Sequence, residues 1–238
     1  MITNKKIKFI KGLSIKKNRL KERCFIVEGE KIINELIKSS YNIIELYATK
    51  DWVSKNKYLG ACQVSNSQLD RISGMKSANN VLAIVEYRNI SNIPIYGNKL
   101  VIDNIKDPGN LGTIIRTCDW FGIRDIVCSK NTVDIYNPKV VQSTMGSLFR
   151  VNVYYVDLNI YLSKVQNHIY GAYTSGKDIR SVKASKDFHL VVGNESRGIS
   201  CDLSRYINTN VSISSNSDLT DSLNVAAATS IILHSFCN

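Results

Sequence analysis

The chain has 238 residues with 31 Lys+Arg against 20 Asp+Glu, a formal net charge of +11. That length suits two domains of roughly 90 and 140 residues, each able to bury its own core. Its apolar runs stay short of the ~18 residues a membrane span needs, and the charge excess makes a polyanion, nucleic acid first, the expected partner.

The opening residues Met1-Ile2-Thr3-Asn4-Lys5-Lys6 lead into charged sequence rather than the apolar core of a signal peptide, so no export is expected. Residues 5–23 then hold nine Lys/Arg against the single acid Glu22. Clustering at one end makes Lys5, Lys8, Lys16, Lys17, Arg19 and Arg23 the candidate RNA contacts, against the alternative of a solvated helical face. Cys24–Glu28 reads as a short strand, and Ile32, Ile33, Leu36 and Ile37 mark a helix over 30–39. Strands follow at 43–48, 61–65 and 81–87, with Asn66 expected to cap a short helix ending at Ile72. This is a small α/β domain over residues 1–88. It holds no cluster of acid, base and nucleophile; Arg71, Lys76, Asn79 and Asn80 could touch RNA or simply be solvated loop. Residues 89–98, with a Pro, a Gly and several turn formers, are the expected linker.

From residue 99 to 238 the pattern is strand, loop, helix, repeated. Leu100, Val101 and Ile102 form an apolar strand that breaks at Asp107-Pro108-Gly109. Leu111, Ile114, Ile115, Cys118 and Phe121 recur at helical spacing, with Asn110 expected at the N-cap and Gly122 at the stop. The apolar face leaves Arg116 unexplained: it lies on a flank with Asn110 and Thr113. Strand 125–129, a helix from Asn137-Pro138 to Gly146, strand 151–156, helix 158–165 and strand 169–173 come next. Gly171 to Asp178 nearly matches a phosphate-cradling loop, but Asp178 stands where the magnesium-ligating hydroxyl belongs and would repel phosphate, so nucleotide hydrolysis is rejected. Phe188–Val192 is the most strand-like run and ends in Gly193-Asn194-Glu195-Ser196-Arg197-Gly198. Polar loops beyond strand carboxyl ends are where open α/β sheets place ligands. A last polar loop, 217–224, enters an Ala-rich helix that ends near Phe236, with Ser222 its natural N-cap and Asn224 in the first turn.

The six cysteines are scattered without a Cys-x-x-Cys pair, and without an export signal they read as free thiols of a cytoplasmic protein. His168, His189 and His234 are isolated, so no metal is expected.

Three stretches together resemble the signatures of the SpoU/TrmH family of S-adenosylmethionine-dependent RNA ribose 2′-O-methyltransferases, in the SPOUT superfamily. They are Asp107–Thr117, Gly193–Gly198 and Ser222-Leu223-Asn224-Val225, in this order and at the chain's end. The N-terminal part resembles the ribosomal-protein-like substrate-binding domain that precedes such catalytic domains, most recognisably at Phe25–Gly29. The resemblance implies a parallel-sheet SPOUT domain with a trefoil knot, a homodimer, S-adenosylmethionine as donor and S-adenosylhomocysteine as product. By motif matching, the donor pocket uses Thr174, Gly193, Asn194, Glu195, Ile213 and Leu223, and the catalytic set is Asn110, Arg116, Glu195, Ser222 and Asn224. One departure stands out: Val211–Asn216 lacks the proline usual in the family and runs one residue longer, at Ile213.

A sulfonium methyl is already electrophilic, so the enzyme's task is to set a ribose 2′-oxygen in line and help remove its proton. Positioning can contribute ~7–11 kcal/mol, more than proton transfer usually does. A guanidinium stays charged at ordinary pH, so Arg116 is expected to fork onto the target phosphate rather than act as a simple base. The proton then leaves either to that phosphate or to a transiently neutral Arg116. Asn110 and Asn224 are expected to orient ribose and Arg116, and Glu195 an arginine or the donor amine. The substrate is expected to be ribosomal RNA; tRNA is the alternative, as is a non-catalytic RNA-binding protein on a degenerate scaffold.

Overall fold

The computed structural model describes residues 2–56, 60–75, 77, 79–90, 92–216, 219 and 221–237. The chain divides into two compact units, residues 1–89 with 134–149, and residues 90–133 with 150–238.

The first unit opens with two basic helices, α1 (Asn4–Gly12) and α2 (Lys16–Glu22), followed by β1 (Cys24–Glu28) and α3 (Glu30–Ile37). Then come β2 (Ile43–Ala48), α4 (Lys50–Lys55), β3 (Ala61–Gln63), α5 (Asn66–Ile72) and β4 (Val81–Glu86). The sheet order is β1-β4-β2-β3, with β4 antiparallel to both neighbours and β2 parallel to β3. Ile10, Leu13, Tyr47, Leu69, Ile72, Leu82 and Ile84 form its core. The cap of α5 falls one residue before the expected Asn66. Ser65 accepts from Gln68 N and Gln68 answers back to the Ser65 amide, a reciprocal box that satisfies two orphan donors where one asparagine satisfies one.

The strand-helix repeat of the sequence places residues 134–149 in the second domain, yet they pack in the first unit. This segment carries α7 (Pro138–Thr144) and a 3₁₀ turn at Ser147–Phe149. Tyr136 stacks on Tyr87 with centroids 4.0 Å apart and lies 4.4 Å from Phe25; Gln142 Nε2 donates to the Glu28 carbonyl at 3.0 Å. These partners are more than 45 residues distant in sequence, beyond the reach of any local periodicity. Of the loop residues that could touch RNA, Lys76 lies outside the described residues.

The second unit holds β5 (Lys99–Ile102), α6 (Pro108–Trp120), β6 (Asp125–Ser129), β7 (Asn152–Val156) and α8 (Leu158–Leu162). It continues with β8 (His168–Asp178), a 3₁₀ turn at Ile179–Ser181, β9 (Phe188–Val192), α9 (Cys201–Ser204), β10 (Thr209–Ser212) and α10 (Val225–Cys237). Six strands form one parallel sheet in the order β10-β8-β9-β5-β6-β7. Apolar runs without alternation, such as Leu100-Val101-Ile102 and Leu190-Val191-Val192, are fully buried, as a sheet covered on both faces requires. β8 runs past its expected end because β10 pairs with it twice, Asn210 with Gly171 and then Val211 with Lys177. Residues 172–176 are thereby bulged out opposite one peptide step.

Among the described residues no helix is long and apolar enough to cross a membrane, and no three His, Cys, Asp or Glu side chains are grouped to hold a metal ion.

Candidate active site

β5 is flanked by β6 on one side and β9 on the other. The loops leaving β5 and β9 therefore emerge side by side, at the switch point where parallel sheets open a crevice. Asp103, buried at the end of β5, ties them: its amide donates to the Val192 carbonyl (2.9 Å), and its Oδ2 accepts from Ser200 N (2.8 Å) and Oγ (2.6 Å). Asn104 follows with φ of 61°, and its carbonyl accepts from Asn194 Nδ2 at 3.0 Å.

The β9 loop is a tight hairpin. Asn194 and Gly198 exchange two backbone hydrogen bonds, 3.0 and 2.9 Å, while Asn194 Oδ1 accepts from the amides of Ser196 and Arg197. Gly193 cannot carry a side chain, since a Cβ there would lie 2.2 Å from the Gly198 carbonyl carbon. Asn194 is thus spent on holding the loop, which leaves Glu195 exposed at its tip.

Asn110 is not the cap of α6. Asp107 is: its carboxylate accepts from Asn110 N at 2.8 Å, and Pro108 takes the first helical position. Proline at that position fits the helix without losing a needed amide, so Asp-Pro was a readable signal for this cap. The correction matters because it frees the Asn110 side chain. Its Nδ2 donates to Glu195 Oε1 (2.8 Å), and its Oδ1 accepts from Asn224 Nδ2 (3.0 Å). A second correction mirrors the first. Asn224, not Ser222, caps α10, with Oδ1 accepting from the amides of Ala226 (2.9 Å) and Ala227 (3.4 Å). An amide has both a donor and an acceptor, so Asn224 caps with one end and bridges with the other. Ser222 lies exposed two residues earlier. A relay of amide and carboxylate, Asn224 to Asn110 to Glu195, with Asn194 Nδ2 3.3 Å from Glu195 Oε2, joins all three signature loops.

Arg116 is exposed on α6, and among the described residues nothing pairs with its guanidinium. It lines a shallow cavity of about 320 Å³ with Thr113, Thr117, Trp120, Phe121 and Ser230, and Trp120 is 84% exposed. α10 is fastened to α6 here by Thr117 Oγ1 and Ser230 Oγ, 3.0 Å apart. Thr174 is exposed on the bulge of β8, Ile213 follows β10 half-buried, and Leu223 is 50% exposed. Hydrogen bonds do not tie the side chains of Thr174, Arg116 and Ser222 to the relay among the described residues. Ser217, Asp218 and Thr220, in the polar loop before α10, lie outside those residues.

In the first unit, Lys5, Lys8, Lys16 and Lys17 are exposed on α1 and α2. Arg19 is a correction to the basic set. It is 2% exposed, its guanidinium pairs with Asp134 at 2.6 Å and donates to the Leu13 and Ser14 carbonyls, and so it holds the fold together rather than facing a ligand. Arg23 is exposed, hydrogen-bonded to Asn89 and 5.6 Å over the Tyr87 ring.

The model of the SpoU rRNA Methylase family matches residues 97–234, and that of the MRM3-like substrate binding domain matches residues 4–83. The chain belongs to the SpoU rRNA methylase family. A relative in this family, the Bacillus subtilis 23S rRNA (guanosine(2553)-2′-O)-methyltransferase RlmP, is 30% identical over 237 residues, 97% of this chain and 95% of that protein. Among solved structures, a TrmH-family protein from Porphyromonas gingivalis superposes with a TM-score of 0.90 at 31% identity, covering 99% of this chain and 98% of that one. An AdoMet-bound rRNA methyltransferase from Sinorhizobium meliloti superposes at 0.85 with 27% identity, covering 99% and 95%. Two of the three signature loops thus leave the switch point of the sheet, and the Asn224–Asn110 hydrogen bond joins the third to them.

Proposed function

We propose that this SpoU-family chain transfers a methyl group from S-adenosylmethionine to a ribose 2′-hydroxyl of ribosomal RNA, in the large subunit as its B. subtilis relative does. The observation that carries this reading is the Asn224–Asn110–Glu195 relay, with Arg116 exposed on the same helix as Asn110 and unpaired among the described residues. An N-terminal unit matching a substrate-binding domain, with Lys5, Lys8, Lys16 and Lys17 exposed, supports RNA as substrate. The reading takes residues 1–88 as the RNA-binding part and 99–238 as the catalytic part, and it places the reaction in the cytoplasm.

The residues fit the donor. Adenosine needs apolar contact on its faces and hydrogen bonds at its edges, and the loops offer half-exposed Leu223 and half-buried Ile213 for the faces. Thr174, Gly193, Asn194, Glu195, Ile213 and Leu223 would hold it, largely through backbone groups since the Asn194 side chain is engaged in its own loop, and S-adenosylhomocysteine would leave. When bound, the donor supplies an electrophilic methyl. Arg116 grips the phosphate of the target nucleotide with its fork of donors and so sets the 2′-oxygen in line. Asn110 and Asn224 hold the nucleotide against the relay, and Glu195 keeps the Asn110 amide turned with its oxygen towards Asn224. Ser222, exposed and free of capping duty, is available to the substrate.

A second copy of the chain is part of the proposal. Trp120, 84% exposed one helical turn from Arg116, is a face that a homodimer would cover, bringing one protomer's Arg116 to its partner's donor loops. The trefoil knot implied by the family belongs to the same proposal.

The test is transfer of labelled methyl from S-adenosylmethionine to separated rRNA and tRNA. Label in one 2′-O-methyl nucleotide of the large rRNA is the expected result, abolished by Arg116→Ala with donor binding retained. Label only in tRNA would replace the substrate. Failure of both transfer and donor binding would leave an RNA-binding protein.

A further inference from the structure

The geometry points to a clamp of Asp178, Arg180 and Ser214 that orders the donor-binding loop, making these three positioning residues for methyl transfer; the inference rests on the reading of Thr174 and Ile213 as donor contacts. Asp178 terminates β8, where a phosphate-cradling loop would have carried a hydroxyl. Its carboxylate instead takes Arg180 in a fork: Nε lies 3.0 Å from both oxygens and Nη2 2.5 Å from Oδ2, with the Arg180 amide adding 2.8 Å to Oδ1. Arg180 Nη2 then reaches Ser214 Oγ at 3.1 Å, and that hydroxyl donates back to Asp178 Oδ2. The three groups close a ring of hydrogen bonds between β8 and the segment that follows β10.

Two features make this seam consequential. The segment 211–216 has no proline, so its backbone is not pre-set by its own chemistry. It is sewn to β8 by side chains instead, for Ser212 Oγ donates to the Gly176 carbonyl at 3.1 Å, two residues before Ser214 makes the ring. That spacing is the period of an extended segment, which turns Ile213, between the two serines, away from the seam. On the other side of the seam is the bulge 172–176, which carries Thr174. Gly176 is needed within it, because a Cβ there would lie 2.7 Å from the Asn210 carbonyl oxygen. Fixing Ser214 to Asp178 thus fixes two donor contacts, Thr174 on the β8 bulge and Ile213 just past β10. The Arg180 hydrogen bonds, with that from Ser214, hold the Asp178 carboxyl well below the usual carboxylate range, so the ring stays charged at every working pH. Bidentate geometry lets such an exposed pair restrict a loop that a single lysine contact would not.

Ser214→Ala and Arg180→Ala are the variants that test this. Calorimetry with S-adenosylmethionine alone should show the dissociation constant rising about two- to fivefold in each, the range for an exposed charge-assisted contact. Turnover at saturating donor should stay at the unmodified level. Raising salt from 50 mM to 1 M should weaken donor binding in the unmodified chain and leave Arg180→Ala nearly flat, because screening removes what the substitution has already removed. Arg180→Lys should recover only part, lacking the fork. Unchanged donor affinity in Ser214→Ala and Arg180→Ala would overturn the clamp. Leu223→Asp separates the two readings: donor binding lost there but unchanged in the clamp variants sinks the clamp alone, whereas unchanged binding in Leu223→Asp sinks the pocket on which it rests.

Discussion

Asn110 and Asp107 sit three residues apart at one helix start and do different work. Asp107 caps, so Asp107→Ala should lower stability by about 1 kcal/mol, read from the denaturation midpoint. Asn110→Ala should leave that midpoint nearly unmoved and cut methyl transfer about 10- to 100-fold, because the loops keep their backbone but lose the contact that registers them. The same contrast separates two kinds of basic residue in the first unit. Arg19→Ala removes a buried cation and leaves Asp134 and two carbonyls without their donor, which should cost about 3 kcal/mol. Lys16→Ala and Lys17→Ala should change stability by less than about 0.5 kcal/mol and reduce the salt slope of RNA binding instead.

The hairpin after β9 and the bulge in β8 are the elements that carry the proposed donor contacts Gly193, Asn194, Glu195 and Thr174. Their glycines are not equivalent. Gly193→Ala drives a Cβ into the Gly198 backbone, so the hairpin must open, and donor binding should fall by more than about tenfold in calorimetry. At Gly198 a Cβ meets nothing, and the substitution carries only the cost of φ +67°, about 1 kcal/mol. Both glycines look alike in Gly193-Asn-Glu-Ser-Arg-Gly198; the distances tell them apart. Helix starts teach the same lesson. The periodicity located α5, α6 and α10, but three side chains that could cap, Asn66, Asn110 and Ser222, proved not to, because Ser65, Asp107 and Asn224 satisfy the first amides.

At the level of the molecule, a buried polar row crosses the parallel sheet. His189 pairs in register with Lys99, which pairs with Asp125. His189 is 1% exposed, its Nε2 lies 2.8 Å from the Tyr161 hydroxyl, and burial with the nearby Lys99 ammonium pushes its imidazole down to about 4 from an ordinary 6.5. The folded chain therefore binds fewer protons here than the unfolded one. Its contribution is complete above pH 6.5 and is lost as pH falls towards 4, by up to about 3 kcal/mol. Denaturant titrations of the unmodified chain and His189→Gln should differ in slope across that window and run parallel above it.

Apolar runs, glycine-proline punctuation and helical spacing located nearly all strands and helices, because each is a local signal written in consecutive residues. The three signature loops were legible for the same reason, as were the exposed lysines of the first helices. Arg19 was not, since burial depends on what arrives from residue 134 and not on its neighbours. Nor was the membership of residues 134–149, whose tyrosine stacks on residues 25 and 87. The relay is the clearest case. Asn110, Glu195 and Asn224 were each picked out, but which of their amide ends caps a helix and which bridges to another loop follows from distances across 85 and 114 residues of chain. Sequence supplies the functional groups; their pairing exists only once the sheet has brought three loops to one edge.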